Sequence, residues 1–166
     1  MVSSCNSYFA SSKPFNPTLG ETHQMYVNGF PIYAEQISHH PPITRLQMYH
    51  PEFIINMVVD MRIFKDGNKL KVQSVGYREV YFIKSKKRVV FGVPTILLKG
   101  LIYGTRFVNI YGSVPIICIE ENLGGVINFY QEKNKIIDYF GATIFDLSNV
   151  VQAKKSDYYT FEKKKN

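Results

Sequence analysis

The chain has 166 residues, enough for one domain with a sizeable core. Hydrophobic residues make up 45% and charged residues 20%, with 12 Tyr, 12 Phe and no Trp, which excludes a disordered chain. The formal charge of +7 points to an anionic partner: nucleic acid, a membrane surface or a phosphorylated ligand.

The N-terminal stretch "MVSSCNSYFASSKPF" lacks a basic segment followed by an apolar run, so it does not read as a secretory signal. Weak helical signals fall at residues 1–12 and 146–154. "SSKPFNPTLGET" follows, with Pro14 and Pro17 fixing φ and Asn16 favouring a turn. It reads as a stiff loop that opens with Lys13 and ends with Glu21. Its plainest role is an entry into the first strand. "HQMYV", Asn28-Gly29 and "FPIYAEQIS" then form the clearest hairpin, because Asn-Gly suits the positive φ angles of a type I′ turn.

"FIINMVVDMRIF", "KDGN" and "KLKVQSV" predict a second hairpin with Asp66 and Gly67 at the turn. "YREVYFI" and "RVVFG" flank the cluster "KSKKR", which places Lys84, Lys86, Lys87 and Arg88 in a strand-to-strand turn. "TILLKGLIYG", "RFVNIYG", "VPIICIEE" and "GVINFYQ" continue the series, with a turn expected at Gly112. "KIIDYFGATIFDL" adds one more pair. A second lysine cluster closes the chain at Lys163, Lys164 and Lys165. Regular turn spacing and alternating strands predict a mostly-β, large antiparallel meander with few short helices. Such a sheet exposes its edges unless it curls toward a barrel, and a wide barrel can hold an apolar ligand. No apolar run is long enough to span a bilayer as a helix. The two cysteines, Cys5 and Cys118, form neither a disulfide framework nor a metal pattern, so a reducing, cytosolic setting is expected.

"EQISHHPP" is the least strand-like segment. A strand ending at Ser38 puts His39 and His40 just past its end, with Pro41 and Pro42 stopping the ladder. Neighbouring side chains on a strand face opposite ways, unless the prolines bend the backbone and let both rings converge. A metal would need three or four ligands, and only His23 and His50 remain among the histidines. Acid–base catalysis lacks a nucleophile motif or a carboxylate pair. An anion, above all phosphate, suits two histidines and Lys13, which donate charge-assisted hydrogen bonds. Histidines satisfied by backbone carbonyls in a tight turn remain the plainer alternative.

These residues resemble the oxysterol-binding protein family. "EQISHHPP" is close to that family's Glu-Gln-Val-Ser-His-His-Pro-Pro fingerprint, with Ile37 for Val, and "KPFNPTLGET" resembles its second signature. The resemblance implies an incomplete, half-barrel sheet around a lipid tunnel. It also implies a non-enzymatic, cofactor-free role in binding or exchanging phosphatidylinositol 4-phosphate with a sterol or phosphatidylserine. By motif position, His39, His40 and Lys13 hold the headgroup phosphate. Asn16 lies beside the headgroup with the Phe15 backbone near it, and Glu21 lines the same mouth. The expected partners are these lipids and an anionic membrane surface, with Lys84, Lys86, Lys87 and Arg88 as docking cations, rather than a nucleic acid. The expected location is cytoplasmic, peripheral to intracellular membranes. Residues 1–166 would be one partial domain without the family's N-terminal lid and C-terminal helical region: a truncated product, a minimal divergent member, or a chain completed by a second one. The competing readings are a degenerate member that works as a membrane-surface or protein-interaction module, and a metal- or histidine-dependent hydrolase.

Overall fold

A computed structural model of the chain describes residues 15–129 and 140–150. Its strands are β1 (Thr22–Val27), β2 (Phe30–His39), β3 (Pro42–Tyr49), β4 (Phe53–Asp66), β5 (Lys69–Ser74), β6 (Arg78–Phe82), β7 (Lys87–Phe91), β8 (Thr95–Lys99), β9 (Phe107–Cys118), β10 (Leu123–Phe129) and β11 (Phe140–Asp146). A short helix α1 (Leu147–Val150) follows, within the predicted 146–154 stretch. The other predicted helix, the Lys13 position and the C-terminal lysines lie outside the described residues.

All 11 strands form one antiparallel sheet. β4 pairs with β3 along one edge, and β5 and β6 follow each other along the other in a single register: Met61 faces Ser74 and Met57 faces Arg78. β7 and β8 similarly succeed each other along β9. The sheet is therefore a simple up-and-down meander in which two rows are kinked, one at 75–77 and one at 92–94. Among the described residues β1 and β11 are its edge strands and do not pair with each other. At the first kink Gly76 is required, because a Cβ there would overlap the Val58 carbonyl oxygen.

Several turns follow local chemistry. Asn28 (φ 52°) and Gly29 (φ 83°) both take the left-handed region, as the type I′ turn demands. In the second hairpin Asp66 still pairs with Lys69, so Gly67 and Asn68 are the turn, one residue later than expected. The turn expected at Gly112 does not exist. "RFVNIYG" and "VPIICI" are one strand, β9, because its first half pairs with β8 and its second half with β10 and β7.

Register identifies the two faces. Ala34, Leu46, Met57, Phe91 and Ile116 lie in one cross-strand row, interrupted between Met57 and Phe91 by the buried Arg78, and their face also carries Ile32, Ile55, Val80, Val89 and Val114. The opposite face carries Tyr33, Glu35, Arg45, Gln47, Asn56 and Glu79. There a polar ladder crosses three strands. Tyr49 donates to Gln47 at 3.2 Å, Gln47 donates to Asn56 at 2.8 Å, and Asn56 donates to Glu79 at 3.0 Å. Among the described residues the buried hydrophobic side chains are Ile32, Ile96 and Val114, all on the apolar face. Most other side chains of that face are half-buried, as a single layer dictates.

Candidate functional site

The fingerprint folds as the end of the β2–β3 hairpin. The ladder does not stop at Ser38: His39 pairs with Pro42, and His40-Pro41 forms the two-residue turn with a cis peptide bond. Pro42 thus opens β3 instead of ending the ladder. A bulge between Gln36 and Ser38 shifts the register just before the turn, and bulges re-aim the side chains that follow them. The two imidazoles do converge. Their centroids lie 4.7 Å apart at 68°, and both side chains are exposed.

Gln36 holds this corner together. It is 1% exposed and sits on the apolar side of β2, in step with Ile32 and Ala34. Its side chain donates to the Ser38 carbonyl at 2.8 Å and accepts from the Thr44 hydroxyl on β3. Its backbone N–H donates to the Glu21 carbonyl at 3.0 Å, and its carbonyl accepts from the Gly20 N–H at 2.8 Å. The "NPTLGE" loop is thereby fastened to the fingerprint strand. Sequence reading passed over Gln36 and Thr44. The available signal was a glutamine at the third inward position of "IYAEQ".

Glu21 shapes the loop from within. Its carboxylate accepts from the Thr18 N–H at 2.8 Å and the Thr18 hydroxyl at 3.2 Å, while its N–H donates to the Thr18 carbonyl at 3.1 Å. The lining of a cleft beside it includes Pro17, Glu21, His23, Glu35, Gln36 and Thr44. Asn16 and Phe15 are exposed on the same loop. Glu21 therefore lies beside the strand that carries His39. No group of three or more His, Cys, Asp or Glu able to hold a metal ion occurs among the described residues.

The basic cluster sits elsewhere. Phe82 and Lys87 flank the β6–β7 turn level with Phe53, at the start of β4. The histidine turn lies beyond Ile43, which faces Asp60, toward the other end of β4. Lys84 and Lys86 are exposed in the turn, whereas Lys87 and Arg88 have entered β7. Lys87 pairs with Glu121, and the Arg88 Nε donates to Glu120 at 2.9 Å. Hydrogen bonding to Arg88 holds the Glu120 carboxyl below the usual carboxylate range, and Glu121 raises the Lys87 ammonium above the usual lysine range. Among the described residues no helix is long and apolar enough to cross a membrane.

The meander superposes on part of the solved Osh ORD domains. The Osh1 ORD domain in complex with ergosterol superposes with a TM-score of 0.73 at 22% identity, covering 82% of this chain and 34% of that one. The Osh3 ORD in complex with PI(4)P from Saccharomyces cerevisiae gives 0.68 at 24% identity, over 73% of this chain and 33% of that one. The family model for oxysterol-binding protein matches residues 1–161, and the chain belongs to that family. Human oxysterol-binding protein-related protein 6 is 29% identical over 157 residues, which is 86% of this chain and 17% of the relative. Oxysterol-binding protein 11 of Dictyostelium discoideum is 32% identical over 131 residues, 76% of this chain and 22% of the relative. The chain thus spans less than a quarter of the length of these relatives.

Proposed function

We propose that the chain binds a lipid along its apolar face and holds the phosphatidylinositol 4-phosphate headgroup at His39 and His40, exchanging it for a sterol or phosphatidylserine. The observation that carries this reading is the exposed, edge-to-face histidine pair at the end of a sheet whose one face is apolar. Two imidazoles converging on one point, both exposed, suit a multi-oxygen anion, since each ring donates a charge-assisted hydrogen bond when protonated. Lys13 supplies a further cation from the second motif, with Asn16 and Glu21 at the headgroup. The apolar row through Ile32, Met48, Ile55, Val80 and Val89 suits acyl chains or a sterol body. Support also comes from the lipids named with the Osh1 and Osh3 structures: ergosterol in one and PI(4)P in the other. Lys84 and Lys86, with Lys87 and Arg88 behind them, supply charge for contact with an anionic leaflet.

The test is extraction of radiolabelled phosphatidylinositol 4-phosphate or sterol from vesicles, comparing wild type with His39→Ala/His40→Ala. The reading requires phosphoinositide extraction by wild type and its loss in the double variant. Absence of extraction, or equal extraction by both proteins, contradicts it. Surface binding without extraction supports a membrane-surface module instead.

A further inference from the structure

We infer that the end of the sheet bearing the histidine turn carries a membrane anchor, Ile102 and Tyr103 within a collar of Lys65, Lys69, Lys99 and Arg106, that seats on an anionic bilayer. The inference adds a surface to the membrane-handling reading above and rests on that reading only for the expectation that the protein meets a bilayer.

Register defines the end. β4 runs from Phe53 past Asp60, level with the β2–β3 turn, to Asp66. Lys69 faces Asp66 on one side and Lys99 on the other, and Lys99 faces Phe107. The loop between Lys99 and Phe107 therefore projects from the same end as His39 and His40, opposite the "KSKKR" turn.

That loop is held, and its apolar side chains are displayed. Ile102 is 70% exposed and Tyr103 73% exposed. Asn68, from the β4–β5 turn, braces the backbone beneath them. Its Oδ1 accepts from the Ile102 N–H at 2.7 Å and the Tyr103 N–H at 3.3 Å, and its Nδ2 donates to the Tyr103 carbonyl at 2.7 Å. Gly100 (φ 72°) closes the loop base, where a Cβ would overlap the Thr105 carbonyl. A braced backbone presents the pair with little ordering cost on contact. Ile63 and Phe64 on β4 are exposed nearby in the same stretch of chain.

Charge selects the partner. The collar has four cations against Asp66, and the ion pairs among the described residues, Lys87–Glu121 and Arg88–Glu120, include none of them. The Lys99 Nζ lies 5.2 Å from the centre of the Phe107 ring, over an apolar surface. Tyrosine and isoleucine enter the interfacial region of a bilayer, while lysine and arginine remain among anionic headgroups. An acidic protein surface would satisfy the cations but would leave the apolar pair without a medium.

The absence of tryptophan makes the test direct. The full chain is prepared with Tyr103→Trp and, separately, with Tyr26→Trp near the β1–β2 turn, at the end of β2 away from His39. Each is mixed with phosphatidylcholine vesicles, with and without phosphatidylserine, some carrying brominated acyl chains. The expected result is a blue-shifted, bromine-quenched indole for Tyr103→Trp on phosphatidylserine vesicles only. Lys69→Gln and Lys99→Gln should each weaken vesicle binding about fivefold, and Ile102→Asp should abolish quenching. An unquenched indole in Tyr103→Trp overturns the inference, and so does equal quenching of Tyr26→Trp. Vesicle binding and lipid extraction are separate readouts, so an anchored protein that extracts nothing would sink the lipid-exchange reading and leave this one standing.

Discussion

The two ends of the sheet use the same residue types differently. At the β6–β7 end, Lys87 and Arg88 are drawn onto Glu121 and Glu120 from the β9–β10 turn, so part of the positive charge is spent within the protein. At the other end, His39 and His40 face each other in the open, and Lys65, Lys69, Lys99 and Arg106 lie at the strand ends next to the loop that exposes Ile102 and Tyr103. A run of lysines is conspicuous in sequence, yet what it can bind depends on which carboxylates the fold brings beside it. The cations at the histidine end are scattered along the chain and become a cluster only through strand register.

The ends are joined through the kink at 75–77, and the largest expected effect lies there. Gly76→Ala should destabilise the fold by about 3 kcal/mol or more, because the added Cβ meets backbone that cannot move aside. An unchanged denaturation midpoint would mean that the two halves of the sheet are not related by this close approach. Gln36→Leu comes next. It removes the donor to Ser38 and the acceptor for Thr44 at a fully buried site, an expected loss of about 1–3 kcal/mol in chemical denaturation. Phosphoinositide extraction should fall with it, since the same side chain fixes the approach to His39.

The smallest effect belongs to the opposite end. Glu120→Gln removes an exposed pairing and should leave the denaturation midpoint within scatter at neutral pH. Any difference from wild type has a defined sign. The folded carboxyl is depressed, so the stability it adds is present above its unfolded pKa and fades as pH falls through the folded value. A difference that grows on acidification would contradict the Arg88–Glu120 assignment.

Much of this was legible in the sequence, for local reasons. Asn28-Gly29 and the alternation of "FPIYAEQIS" announce a hairpin because turn chemistry and pleat act over a few residues. The mostly-β meander followed from the same signals repeated. The fingerprint pointed to the histidines, and their side-by-side placement depends on the turn beginning one pair later than the prolines suggested, after a bulge. Other features depend on distant pairing. Gly112 read as a turn because nothing local says that Tyr111 will face Thr95 while Gly112 faces Phe129. Gln36 looked like one polar residue among several until the Gly20 and Glu21 backbone closed over it. The bracing of Ile102 and Tyr103 by Asn68 joins residues more than 30 positions apart.

The central claim is that His39 and His40 together receive a phosphorylated headgroup. The most direct measurement is a titration of the full chain with soluble inositol 4-phosphate, followed through the histidine ring resonances by NMR. His50, stacked on Phe53 at 4.3 Å, serves as the internal reference. The account predicts that the His39 and His40 rings shift together and saturate with one dissociation constant while His50 stays in place. Unmoved His39 and His40 resonances at saturating headgroup, or an equal shift of His50, would contradict it.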